Sequence, residues 1–122
     1  MKHSAELTAD NTGITLTLAI NHGGHADITA AARAIAAAGI DAKDITSDTV
    51  AAYLPHPDTP PIDLLIRTSG ELRLSGFMLW QASYAELAFL PELWPDLTPG
   101  RFRETVASYQ ARLRRFGKET AS

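Results

Sequence analysis

Residues 62–67 read IDLLIR, a nearly unbroken apolar run that ends on an arginine. A strand with one wet face alternates apolar and polar residues, whereas a strand covered on both faces carries apolar side chains at almost every position. The run is therefore expected to be a doubly covered strand, and such strands belong to parallel sheets whose connections are helices. HPDTPP, residues 56–61, precedes it, and its prolines exclude a helix or a central strand there. With 122 residues, 45% of them hydrophobic, the chain has the apolar surface for one core, so residues 1–122 are expected to form a single domain with this connector inside it.

The flanking segments supply further elements. In GITLTLAINHGG, Ile14, Leu16, Leu18 and Ile20 alternate with Thr15, Thr17 and Ala19, which predicts a strand ended by Gly23 and Gly24. Asp27 is expected to cap a helix over ITAAARAIAAAG, with Ile28, Ala31, Ala32 and Ile35 on one face and Gly39 at the stop. SDTVAAYL, residues 47–54, predicts a short helix capped by Ser47 and closed before Pro55. FMLWQASYAEL, residues 77–87, has helical character, and AFLPELW, residues 88–94, predicts a short strand or extended stretch. Thr98 and Pro99 start a last helix, with Phe102, Val106, Tyr109, Leu113 and Phe116 along one face. The order is that of an α/β fold, a mostly parallel sheet flanked by helices, where ligands bind beyond the carboxyl ends of the strands.

Charge and composition exclude several classes. A net charge of −3, from 14 acidic and 11 basic residues, with no long basic run, argues against a nucleic-acid surface or an anionic membrane surface. The absence of cysteine removes disulfides, thiolate metal sites and thiol nucleophiles. No stretch approaches the roughly 20 apolar residues of a membrane span, and MKHSAELTADNTG has no apolar signal core, so a cytoplasmic protein is expected. Trp80, Tyr84, Phe89 and Trp94 are expected to be core and interface aromatics rather than the lining of a ligand tunnel.

Any anion site must then be local, and RTSGELRLSG, residues 67–76, has the composition for one. Arg67 and Arg73 are permanently charged planar donors, Thr68, Ser69 and Ser75 carry hydroxyls, and Gly70 and Gly76 allow close backbone approach. A helix starting near Phe77 would aim backbone N–H groups at the same place. Together these suit a phosphate or diphosphate. On residue types alone, however, a loop arginine is more often solvated or paired with a carboxylate such as Glu71 than bound to a ligand.

From AELTADNTGITLTLAINHGG through DLLIRTSGELRLSGFMLWQASYAELAFLPELWPD to ARLRRFG, the sequence resembles the C-terminal half of the cis-prenyltransferases, the undecaprenyl diphosphate synthase family. The likeness runs in order along nearly the whole chain. The resemblance implies the C-terminal half of that fold and a part in condensing isopentenyl diphosphate with an allylic prenyl diphosphate, using Mg²⁺. It implies that Arg67, Arg73 and Ser75 hold the isopentenyl diphosphate and that Glu86, after the LWQASY segment, helps bind Mg²⁺. Arg115 and Gly117 match an R-x-G motif that reaches a neighbouring subunit's isopentenyl diphosphate site, and Asn21 stands near the active site. Gly117 and the basic residues around it would equally suit an ordinary helix end.

Three positions depart from the family pattern. His22 and His25 stand for the tyrosine and arginine of N-Y-G-G-R, and Gly76 stands where asparagine is usual. The two histidines lack further ligands at metal-binding spacing and are taken as loop residues. The family's D-G-N-G-R-W-type loop, with its essential aspartate, has no counterpart here, so no catalytic residue is assigned.

Two roles follow. The chain is expected to be one subunit of a split or heteromeric cis-prenyltransferase, dimeric or larger and inactive alone, whose protein partner carries the missing N-terminal half. The alternative is a non-catalytic scaffold subunit or a truncated, inactive homologue. A general α/β phosphate-binding module is a third reading, which would leave the order of LWQASYAEL and LWPD after the loop unexplained.

Overall fold

The computed structural model describes residues 2–112. Its elements are α1 (Lys2–Leu7), α2 (Gly24–Ala37), α3 (Ser47–Ala52), β1 (Leu64–Arg67), β2 (Glu86–Phe89) and α4 (Pro99–Gln110), with short 3-10 turns at Ala42–Asp44 and Trp94–Asp96. The apolar run becomes β1, and it pairs in parallel with β2 in the register Leu64↔Glu86, Leu65↔Leu87, Ile66↔Ala88 and Arg67↔Phe89. Leu65, Ala88 and Leu90 are buried, and the core around them is completed by Ala31, Ile35, Leu54 and Ala82. The fold is α/β, a parallel sheet with helices against it.

The helix limits follow local chemistry that composition alone did not resolve. Helix α2 begins four residues earlier than its sequence suggests, with Gly23 at the N-cap, so Asp27 lies inside the first turn rather than capping. Ala31 and Ile35 are buried as expected, but Ala32 is exposed. The helix stops at the expected glycine: Gly39 follows the C-cap at φ +68°, a conformation that costs glycine nothing. In α3 the cap is Thr46, not Ser47. Its hydroxyl accepts from the Thr49 amide at 3.2 Å while the Thr49 hydroxyl accepts from the Thr46 amide at 3.1 Å, a reciprocal box that a serine one position later cannot form. Helix α4 is capped by Thr98 with Pro99 in its first turn, as expected. Its buried position is Thr105, whose hydroxyl donates to the Arg101 carbonyl at 2.9 Å, while Phe102 is exposed. Leu113 and Phe116, expected on the same face, lie outside the described residues.

Two expected elements do not form. Residues 77–87 do not form a helix: residues 75–84 run as consecutive turns and β2 begins at Glu86, two residues before the expected strand. Met78, at φ +42°, breaks the helical path, because a left-handed residue cannot continue a right-handed helix. The loop therefore has no helix N-terminus aimed at it. The second failure is GITLTLAI. Its alternation is that of a strand, yet no strand pairs with it among the described residues, and Ile14, Leu16, Leu18 and Ile20 are 97%, 80%, 62% and 70% exposed. A strand needs a neighbour's N–H and C=O groups, and among the described residues the expected larger sheet is two strands.

The surface carries the same imbalance. The protein exposes 9725 Å², where a compact monomer of its mass is expected to expose about 6400 Å². Among the aromatics, Tyr84 and Trp94 are 76% and 73% exposed, so these two are not part of the core.

One contact fixes how α2 meets the loop after β1. The Gly24 amide donates to the Gly76 carbonyl at 2.7 Å, and a Cβ on Gly24 would stand 2.7 Å from that oxygen and 2.9 Å from Leu79 Cγ. Gly24→Ala is therefore expected to destabilise the protein by about 1–3 kcal/mol, the range for overpacking a closed contact. Urea unfolding of both proteins checks this, and an unchanged midpoint would show that the helix and loop separate freely.

Candidate functional site at the carboxyl end of the strands

The loops that leave β1 and β2 are tied to each other by backbone hydrogen bonds. The Leu90 amide donates to the Arg67 carbonyl at 2.7 Å, Gly70 to the Leu90 carbonyl at 2.8 Å, and Ser69 to the Glu92 carbonyl at 2.7 Å. Residues 67–70 thus continue along residues 90–92 beyond the last ladder pair, turning through left-handed Ser69 (φ +71°) and Gly70 (φ +69°). Farther along, Ser75 and Gly76 are left-handed again, and Gly76 receives the amide of Gly24. Residues 67–70 and 90–92 thus form the carboxyl end of the sheet, and the loop runs on to Gly76, where it meets the segment that opens α2. Positive φ at non-glycine residues is uncommon and costs free energy, so a run of it marks a backbone held by its surroundings.

Arg67 ends β1 half-buried, and its guanidinium has no ion pair or hydrogen bond among the described residues. Arg73 is largely exposed and pairs with Glu71. The hydroxyl of Ser75 is likewise without a protein partner among the described residues. Asn21, at φ +55°, opens the segment that reaches Gly76 three residues later, which joins that segment to the same loop.

Glu86 is placed differently. It opens β2 opposite Leu64, so it stands at the amino end of the strand pair while Arg67 stands at the carboxyl end. Three residues of strand separate these levels, about 10 Å. Glu86 Oε2 accepts from Arg112 Nη1 at 3.0 Å, and the same Arg112 nitrogen donates to the Leu87 carbonyl at 3.2 Å. Arg115 and Gly117 lie outside the described residues.

A separate cleft of about 520 Å³ lies between α3, the proline-rich connector and the turns before β2, lined among others by Ala51, Leu54, His56, Trp80 and Tyr84. Its floor is mostly apolar, and no charged residue of the 67–76 loop lines it.

The comparisons with known proteins decide what this arrangement belongs to. The family model for undecaprenyl diphosphate synthases matches residues 1–117. The chain belongs to the undecaprenyl diphosphate synthase family. An isoprenyl transferase of Neisseria meningitidis is 48% identical over 118 residues, which cover 97% of this chain and 47% of the relative. A (2E,6E)-farnesyl-diphosphate-specific ditrans,polycis-undecaprenyl-diphosphate synthase of Vibrio vulnificus is 48% identical over 116 residues, 92% of this chain and 46% of that protein. Among solved structures, the lavandulyl diphosphate synthase of Lavandula x intermedia, in complex with dimethylallyl diphosphate, superposes with a TM-score of 0.87 at 40% identity, over 96% of this chain and 52% of that one. The chain thus spans about half the length of the relatives it matches, corresponding to their C-terminal half. Among the described residues, no helix is long and apolar enough to cross a membrane.

Two contacts that hold this end of the fold had no sequence signature. Arg101 Nε donates to Glu92 Oε1 at 2.9 Å, bracing the segment on which Ser69 and Gly70 rest, and His22 Nε2 lies 3.0 Å from Asp27 Oδ2. Nine residues separate Arg101 from Glu92, a spacing that no local pattern singles out. The short His22–Asp27 spacing was visible, but without the turn at Asn21 nothing directs one side chain to the other. Glu92 Oε2 is buried with no partner among the described residues, so the carboxylate depends on the single bond from Arg101. Arg101→Ala is expected to cost about 1 kcal/mol, the worth of a screened, partly exposed charged hydrogen bond. Thermal unfolding measures it, and a stability equal to the wild type would show that Glu92 re-solvates without penalty.

Proposed function

We propose that this chain supplies the isopentenyl diphosphate-binding part of a cis-prenyltransferase and works with a polypeptide that carries the family's aspartate loop. The observation that carries the reading is Arg67: a half-buried guanidinium without a protein partner among the described residues, at the carboxyl end of a parallel strand, opening a left-handed loop that also bears Arg73 and Ser75. An unpaired, partly desolvated arginine is costly unless an anion completes it, and its planar fork fits two oxygens of one phosphate group. Arg73 joins by exchanging Glu71 for the ligand, an exchange that costs little because both side chains reach solvent.

Cis-prenyl transfer explains why such a loop is needed. The allylic partner loses its diphosphate, cation character grows at its C1, the isopentenyl double bond attacks that carbon, and a proton leaves the isopentenyl unit. The isopentenyl diphosphate itself stays intact and must be anchored while charge moves beside it. Fixed cations at its diphosphate do this without reorganising during the reaction. Arg67 and Arg73 bind and orient in this scheme, and Ser75 offers a hydroxyl to a phosphate oxygen. Arg115 and Gly117 remain part of the proposal through the family motif alone, as does Asn21 beyond its place on the segment that meets the loop.

The family's Mg²⁺ fits this chain poorly. Glu86 offers one hard oxygen ligand, but its charge is already met by Arg112 and it stands at the far end of the strand pair. Among the described residues, no group of three or more acidic, histidine or cysteine side chains converges on one point. A metal at Glu86 would require that pair to open and the other ligands to come from elsewhere, so no step is assigned to it.

The second reading, a scaffold subunit without turnover, predicts no need for Arg67. Isothermal titration with isopentenyl diphosphate separates the two. Arg67→Ala and Arg73→Ala are each expected to weaken binding by about 1.5–3 kcal/mol, the worth of a charge-assisted contact, with unchanged thermal stability. Unchanged affinity in both variants would remove the loop from the site.

The exposed row Ile14, Leu16, Leu18 and Ile20 supports an assembly. Apolar patches beyond a few hundred Å² and unpaired edges are unusual in free-standing proteins. The chain alone is therefore expected to self-associate and to transfer no prenyl group, and to gain activity when a polypeptide with the aspartate loop is added. Light scattering and a labelled isopentenyl diphosphate assay test both; a monodisperse monomer that elongates farnesyl diphosphate unaided would sink the idea.

A further inference from the structure

His22 is 11% exposed and sits just before the segment that touches the diphosphate loop. Its Nε2 lies 3.0 Å from the Asp27 carboxylate, so that nitrogen carries the proton and donates, and in the neutral ring Nδ1 is left as an acceptor. Nδ1 is buried and has no partner among the described residues. The ring therefore has one polar tether, and its other contact is aromatic: its centroid stands 5.4 Å from that of Phe77 with the planes tilted by 53°. This is within the range in which tilted aromatic pairs attract. Phe77 is two residues beyond Ser75, and its amide closes a turn on the Leu74 carbonyl at 3.0 Å. Gly24, two residues after His22, donates to the Gly76 carbonyl. One short segment thus holds the loop at its backbone through Gly24 and at its side chain through His22.

Resting on the diphosphate reading of that loop, we infer that His22 is a positioning residue: hooked to Asp27 through Nε2, its ring fixes Phe77 and with it the left-handed turn at Ser75 and Gly76. The loop needs such a brace. Ser75, Gly76 and Met78 all hold positive φ, and no helix follows to stiffen them. Conformations of that kind persist only where the surroundings over-determine them.

Two substitutions dissect the role in the full chain. The longer amide introduced by His22→Gln can place an N–H donor near the position of Nε2, whereas the shorter one introduced by His22→Asn cannot reach Asp27. Hydrogen exchange of amides 74–79 is the first readout, with the amides of Thr105 and Val106 in α4 as the internal reference. His22→Asn is expected to speed exchange in 74–79 while α4 keeps its wild-type rate, and His22→Gln, which keeps the tether to Asp27 but not the ring against Phe77, is expected to restore only part of the protection. Titration with inorganic diphosphate is the second readout. His22→Asn is expected to weaken binding about tenfold, the equivalent of one lost hydrogen bond, and His22→Gln less than about threefold. Wild-type exchange in His22→Asn, or acceleration in α4 equal to that in 74–79, would overturn the inference. Arg67→Ala keeps the two readings apart: if it binds diphosphate as the wild type does, the loop's ligand is wrong, while the exchange result still decides what His22 does.

Discussion

The parallel pairing of β1 with β2 is the constraint on which the rest of the molecule depends. Four residue pairs set the register, and three further backbone bonds carry it past the last pair, from Arg67, Ser69 and Gly70 onto residues 90–92. Sliding β2 by one residue would turn Leu87, now exposed, inward in place of buried Ala88. The same slip would pull the carbonyls of Leu90 and Glu92 away from the amides they receive. Core and loop are therefore fixed by a single choice of register, and the arginine that ends the strand inherits its position from apolar packing.

The sequence made some of this legible and hid the rest for physical reasons. IDLLIR announced a parallel strand through its run of apolar side chains, although the double coverage that pattern suggests is not reached: of its strand residues only Leu65 is buried. Thr98 with Pro99, and Gly39, marked helix limits because capping and left-handed stops are local chemistry. Residues 77–87 misled for a complementary reason. Their composition suits a helix, but left-handed Met78 and the demand that Glu86 enter β2 override propensity. The loop residues were picked out by type and family likeness. The lack of a partner for Arg67 among the described residues, the Glu71–Arg73 pair and the placing of Glu86 at the opposite end of the strands needed the structure.

GITLTLAI is the instructive case. Its alternation is correct for a strand and its pairing is absent among the described residues, so pattern and environment disagree. Alternation records which neighbours a segment is suited to, and forming the ladder depends on those neighbours being there. The relatives are about twice as long, and this chain matches only their C-terminal half. The excess of exposed surface and the unpaired strand pattern support the proposed assembly.

The guanidinium of Arg67, without a partner among the described residues, has a practical consequence for anyone handling the protein. On the proposed reading of the loop, this half-buried cation takes up small anions from the buffer, and an anion that binds only the folded state raises apparent stability by mass action. Phosphate and sulfate buffers would then act as silent ligands, and zwitterionic or chloride buffers would report the unliganded protein. Melting temperatures taken in the two kinds of solution describe different chemical species. The anion therefore belongs in the definition of the sample.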